Sequence, residues 1–264
     1  MKKIIFICCF FSVLIMSCSK DPDTVNKKTV NELDTITNYT GLLFATDGKA
    51  SLNFSHYFNA QPIVYGSQNY INNAKDTLTI SNLSYRISNI QLKDKLKNTW
   101  TNIGTYNLNQ GDDAFKYIVS ISKVPAGLYD SIRFDLGVDS VANSTGEQTG
   151  ALDPSLGMYW NWTSGYIFYR LEGRTTDLVT FSLDVGGNKN LVNKAFDLSS
   201  FKVKNATNGV DVEIKMDLGK FFNTPNTYDL KVDKRNIHNA NEPSLAKLLP
   251  NMNAMFILQD VKLK

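Results

Sequence analysis

Apolar and polar residues alternate with a period of two along most of the chain, the pattern of strands with one face on a core and the other toward water. Val210, Val212, Ile214, Met216 and Leu218 fall on one side of such a run, and Asp211, Glu213, Lys215 and Asp217 on the other. Ile132, Phe134, Leu136 and Val138 alternate in the same way with Arg133, Asp135, Gly137 and Asp139. Further strands are expected over 51–58, 77–80, 83–92, 115–121, 165–172, 179–185, 228–232 and 255–263. Within 83–92 the apolar phase moves from Leu83, Tyr85 and Ile87 to Ile90 and Leu92, which places a bulge near Ser88-Asn89. Pro125-Ala126-Gly127, Gly186-Gly187-Asn188 and Asn208-Gly209 supply turns between runs. One short helix is expected around 242–248, with Asn241 as N-cap, Pro243 in the first turn and Leu245, Leu248 and Leu249 on one side. The pattern predicts an all-β fold: a single two-sheet antiparallel β-sandwich with one short helix near the C-terminus.

The start of the chain breaks this pattern. Lys2 and Lys3 precede an apolar run from Ile4 to Met16, too short to span a bilayer comfortably and suited to a signal peptide. Ile15-Met16-Ser17-Cys18 resembles a lipobox, in which the Cys is lipidated and becomes the mature N-terminus. The expected organisation is therefore a lipoprotein signal peptide over 1–17, a flexible tether over 18–38 and one β-sandwich domain over 39–264. Removal of the first 17 residues leaves 247 and takes the net charge from +3 to +1. It also removes Cys8 and Cys9, so Cys18 is the last cysteine and no disulfide is expected. A lipid at Cys18 anchors the protein in the cell envelope without spanning the membrane, and periplasmic and surface-facing placements both remain open. With 42% hydrophobic residues the chain can build a core, and its interspersed charges form no basic stripe for nucleic acid.

Three places carry candidate chemistry. The connection from Asp139 to Trp162 is long for a sandwich and ends in Tyr159-Trp160-Asn161-Trp162. These aromatics either plug an open end of the sandwich or serve a site. His56 and His238 are the two histidines of the chain. His56 shares strand parity with Leu52, Phe54 and Phe58 and so points toward the core, where an imidazole needs a partner. Each could be a structural histidine, and two imidazoles brought together would make a copper or zinc site. Asp139, Glu147 and Asp153 have no regular calcium-ligand spacing and read as a solvated loop. The chain lacks a Gly-x-Ser-x-Gly elbow, a His-Glu-x-x-His pair and a phosphate-cradling Gly-Lys loop, so no enzyme activity is expected.

Several segments in order resemble one family. They are Tyr85-Arg86-Ile87-Ser88-Asn89-Ile90-Gln91-Leu92, Ala126-Gly127-Leu128-Tyr129, Phe134-Asp135-Leu136-Gly137-Val138-Asp139, and Gly146 through Pro154 followed by Gly157 through Tyr166. Together they resemble the MbnP-like domain, the family of the methanobactin-operon partner protein, over about Leu43 to Leu263. The resemblance implies an extracytoplasmic β-sandwich that binds copper, in some members through histidines and a tryptophan oxidised to kynurenine by a MauG-like di-haem enzyme. By position it implies His56 and His238 as metal ligands and Trp160 or Trp162 as the modified residue. Kynurenine offers an amine and a ketone where indole offers one N–H. Relatives often carry His before a Val/Ile-Gly pair after the Trp block, whereas this chain has Asp184 before Val185-Gly186, which weakens a Cu(I) site.

Two functions follow as expectations. The first is a lipid-anchored copper-binding protein for capture or storage, with His56, His238 and a Trp160/Trp162 contribution. The second is a surface module in which Tyr159, Trp160, Trp162 and Tyr166 form an aromatic platform for glycans or a protein partner.

Overall fold

The computed structural model describes residues 40–111, 115–201, 206 and 208–264. The expected signal peptide, the tether and Cys18 lie outside the described residues. Sixteen strands follow in chain order: β1 (Leu42–Phe44), β2 (Gly48–Phe58), β3 (Gln61–Pro62), β4 (Tyr70–Ile71), β5 (Thr77–Asp94), β6 (Thr99–Gly104), β7 (Asn107–Gly111), β8 (Lys116–Val124), β9 (Gly127–Leu136), β10 (Tyr159–Asn161), β11 (Gly165–Thr175), β12 (Thr180–Gly186), β13 (Val192–Asp197), β14 (Val210–Asp217), β15 (Asn236–Ile237) and β16 (Phe256–Leu263). Three helices interrupt them: α1 (Ser140–Ser144), α2 (Leu218–Asn223) and α3 (Leu245–Ala254).

The strands form two sheets. The first runs β1-β9-β5-β11-β12-β15, with short strands added along β5, β9 and β11. The second runs β16-β14-β2-β3, with β8 also on β2. Their inner faces pack as a β-sandwich. Leu52, Phe54 and Phe58 of β2 meet Leu83, Tyr85 and Ile87 of β5, all buried. Phe54 sits edge-on to Tyr85 at 6.1 Å and to Phe134 at 5.4 Å, geometries that complement the ring quadrupoles.

The expected alternation is realised where it was clearest. Val210, Val212, Ile214 and Met216 of β14 are buried while the residues between them face partly outward. β5 runs unbroken for 18 residues, and its register slips between Ser88 and Gln91, where Asn89 takes φ 48°. That is the expected bulge, with a residue type that tolerates the left-handed region.

Three expectations change. The sheets are mixed and not purely antiparallel: β2 runs parallel to β14, and β12 parallel to β15. Residues 228–232 form no strand. Their alternating burial comes from a turn tied to Asp76, which accepts from the Leu230 N–H at 2.9 Å, so a side chain replaces a ladder partner. The C-terminal helix starts after Ser244 and runs to Ala254 with Pro250 inside it. Its second half is held by buried Asn251, whose Nδ2 donates to the carbonyls of Phe221 at 2.8 Å and Asn226 at 2.7 Å. Those tertiary bonds outweigh the helix-breaking tendency of Pro250.

Candidate functional site

The connection after β9 has structure of its own. Asp139 caps α1 by accepting from the N–H groups of Val141 and Ala142. Burial pushes its carboxyl up, but these bonds and one from Tyr106 Oη hold it below the usual carboxylate range. Asp153 caps a short 3-10 turn through Ser155 N, and Glu147 is exposed. Two of the three acidic residues of the loop therefore work as caps. Val138, Ala142, Leu152, Tyr166 and Phe168 make a second apolar cluster, joined by Tyr106, Tyr159 and Leu191. The loop thus covers the outer face of the first sheet.

β12 sorts the candidate residues between that outer face and the core. Leu183 and Val185 are fully buried in the sandwich. Asp184, between them, points the other way, opposite Arg170 on β11. Arg170 grips its carboxylate with two bonds, Nε to Oδ1 at 2.8 Å and Nη2 to Oδ2 at 2.9 Å, and gives a third bond to the Gly157 carbonyl. The Asp184 bonds hold the Arg170 guanidinium above its already high ordinary pKa, against the effect of burial.

His238 joins this pair. β15 lies parallel to β12 with Ile237 beside Leu183, and Ile237 is buried in the core. The next residue is therefore turned to the outer face, where His238 Nδ1 stands 3.2 Å from Asp184 Oδ2. Its side chain is 57% exposed, and Nε2 has no protein partner among the described residues.

Trp160 lies against the same strand. Its six-membered ring lies on Gly186, two residues along β12 from Asp184; a Cβ at position 186 would come within 2.8 Å of Trp160 Cζ3. The Trp160 Nε1–H is enclosed and has no hydrogen-bond partner among the described residues. Trp162 differs: it is 68% exposed and lies across Gly146, whose φ of 88° and lack of Cβ allow the indole to approach.

His56 is elsewhere. It is fully buried on the inner face of β2, with Nε2 2.9 Å from Tyr85 Oη and Nδ1 3.5 Å from Tyr65 Oη. Burial, and the neighbouring phenols of Tyr117, Tyr65 and Tyr169, push the Tyr85 phenol far above its ordinary pKa. The first sheet therefore separates the two imidazoles: His56 lies on its core side, His238 on its outer side. The arrangement expected of a joint His56–His238 site is not formed. Among the described residues no group of three or more His, Cys, Asp or Glu stands where it could hold a metal. Nor do the four aromatics make one flat platform, because Tyr166 is fully buried and its ring is tilted 55° to that of Tyr159 at 4.9 Å while Trp162 projects outward.

Arg170 was not singled out in the sequence. A signal existed: Arg170 and Asp184 are equidistant from the turn at Asp177, so hairpin register alone places them opposite one another.

A two-sheet sandwich whose outer face carries a Trp-x-Trp loop beside an imidazole held by a buried carboxylate defines the class of this protein. A family model described as MbnP matches residues 47–241, and the chain belongs to the MbnP family. The solved structure of MbnP from Methylosinus trichosporium shares the fold, with a TM-score of 0.52 and 15% identity over 81% of this chain and 98% of that one. No curated protein sequence matches it.

Proposed function

We propose that this protein is a non-catalytic, lipid-anchored member of the MbnP family in the cell envelope that captures copper as cargo on the outer face of the first sheet. One observation carries the reading. β12 carries both halves of it: the six-membered ring of Trp160 lies on Gly186, and two residues back Asp184 orients His238 through Nδ1, leaving Nε2 without a protein partner among the described residues. A carboxylate behind an imidazole fixes its tautomer and ring orientation, the usual support of a metal-bound histidine.

The unmodified donor set is small. Both oxygens of Asp184 are engaged by Arg170, which leaves one imidazole nitrogen. Indole Nε1–H is a donor only and binds no cation. Oxidation of Trp160 to kynurenine, with a di-haem partner taking the electrons, water supplying the oxygen and the indole C2 leaving as formate, would replace that N–H with an aniline amine and a ketone, both able to donate electron pairs. Copper suits imidazole and amine nitrogen, and Cu(I) accepts few ligands. Trp160 is thus the residue to be modified, because its ring lies on the strand that carries Asp184, whereas Trp162 lies on Gly146. In this reading His56 is a structural histidine, sealed behind Tyr85.

The test compares protein purified from its native host with protein made without the oxidase, using copper analysis and peptide mass spectrometry. Stoichiometric copper together with kynurenine at position 160 is expected, and neither in the unmodified protein. His238→Gln should abolish copper loading while His56→Gln, if folded, keeps it. Copper bound equally by unmodified protein, or lost only with His56, would reject the reading.

A further inference from the structure

Arg86 and Arg170 sit on neighbouring strands of the first sheet with their side chains on its outer face, and among the described residues only Arg170 of the two has a counter-charge. Arg170 is paired with Asp184. Arg86, on β5 between inward-facing Tyr85 and Ile87, is 0% exposed and has no ion pair among the described residues. Its Nη2 donates to the Met158 carbonyl at 3.2 Å, and its guanidinium lies over the Tyr166 ring at 5.1 Å. Nε and Nη1 are buried with no partner. Desolvation lowers its pKa to about 10, partly offset by Tyr166, so it is still charged at neutral pH.

A guanidinium so placed is costly. An isolated buried charge carries a penalty of several kcal/mol, and unsatisfied donors add to it. A cation–π contact of this geometry offsets only part of that cost. Buried donors left open in a native fold call for an acceptor from outside the chain.

We propose that Arg86 is an internal binding site for a small monovalent anion of halide size, enclosed beneath the long loop. The single positive charge calls for a single negative one. The Born cost of burial grows with the square of the charge, so sulfate and phosphate are disfavoured among Tyr166, Phe168, Val138 and Leu152. A cavity of about 240 Å³ lined in part by Tyr106 and Leu152 opens against that cluster from the solvent side. This site is independent of the copper reading, and it ties the loop that bears Trp160 to β5 through Met158.

The experiment uses the folded chain and bromide as the probe. Crystals grown in sodium bromide should show an anomalous peak within hydrogen-bond distance of Arg86 Nε or Nη1. Thermal unfolding in sodium bromide and in sodium gluconate of equal ionic strength should differ, since gluconate is too large to enter. At ten times the dissociation constant, bromide should lower the unfolding constant about elevenfold. Arg86→Met should remove both effects; if that variant does not fold, the wild-type map and the salt comparison still decide. Ordered water alone at Arg86, or a bromide peak without a difference between the salts, would overturn the proposal.

Discussion

Asp184→Asn is the sharpest probe of the outer-face cluster, because it changes charge and donor pattern with almost no change in volume. The carboxylate is nearly inaccessible and accepts two bonds from Arg170 and a contact from His238 Nδ1. In the variant one oxygen still accepts, but the amide NH2 faces guanidinium donors. Removing one partner of a buried ion pair costs about 3–5 kcal/mol when the other is left uncompensated. Arg170 keeps the Gly157 carbonyl and has Glu172 at 4.0 Å, and its side chain is 23% exposed. These alternatives place the loss near the lower bound, about 3 kcal/mol. For a body of this size that lowers Tm by roughly 6–12 °C. Urea denaturation of Asp184→Asn, Arg170→Met and the double variant gives the coupling directly. The double variant should be less destabilised than the sum of the single ones by more than about 1 kcal/mol. Additive losses, or a single-variant loss below about 1 kcal/mol, would refute the claim that this pair holds β11, β12 and His238 in register.

Other parts of the molecule give equally direct outcomes. Gly146→Ala forces a Cβ into Trp162 at a left-handed φ of 88°; a loss of about 1 kcal/mol and a red-shifted indole emission are expected, read by urea melts and fluorescence. Asn251→Ala removes two buried donations to Phe221 and Asn226 and the acceptor for Asn226 N, costing about 2–3 kcal/mol in chemical denaturation. Asp76 is pushed up by burial but held below the usual carboxylate range by bonds from Lys231, Asn72 and Leu230. A depressed folded value stabilises above the unfolded pKa of about 4 and is lost as pH falls below it. Acidification from about pH 5 to 3 should therefore destabilise the wild type more than Asp76→Asn, as measured by Tm at each pH.

How far the sequence reaches is shown by the two histidines. Parity along one strand was enough for His56: its register with Leu52, Phe54 and Phe58 put it inward, and Tyr85 meets the stated need for a partner. Parity could also place Asp184 opposite in sense to Leu183 and Val185. His238 was different, because its position depends on a two-residue parallel pairing of β15 with β12, across more than fifty residues of chain. So short a pairing leaves no periodic trace, and neither does the parallel match of β2 with β14, since alternation gives the face of a strand and not its neighbour. The same limit explains residues 228–232, where a strand-like alternation is satisfied by the Asp76 carboxylate. Separation of the imidazoles therefore follows from two facts of different kinds, one local and one topological. β2 faces the inner side of the first sheet and β15 extends that sheet's own edge, so the hydrogen-bonded layer stands between the two rings. In the proposed reading His238 therefore takes its second donor from the outer face, where Trp160 lies on Gly186.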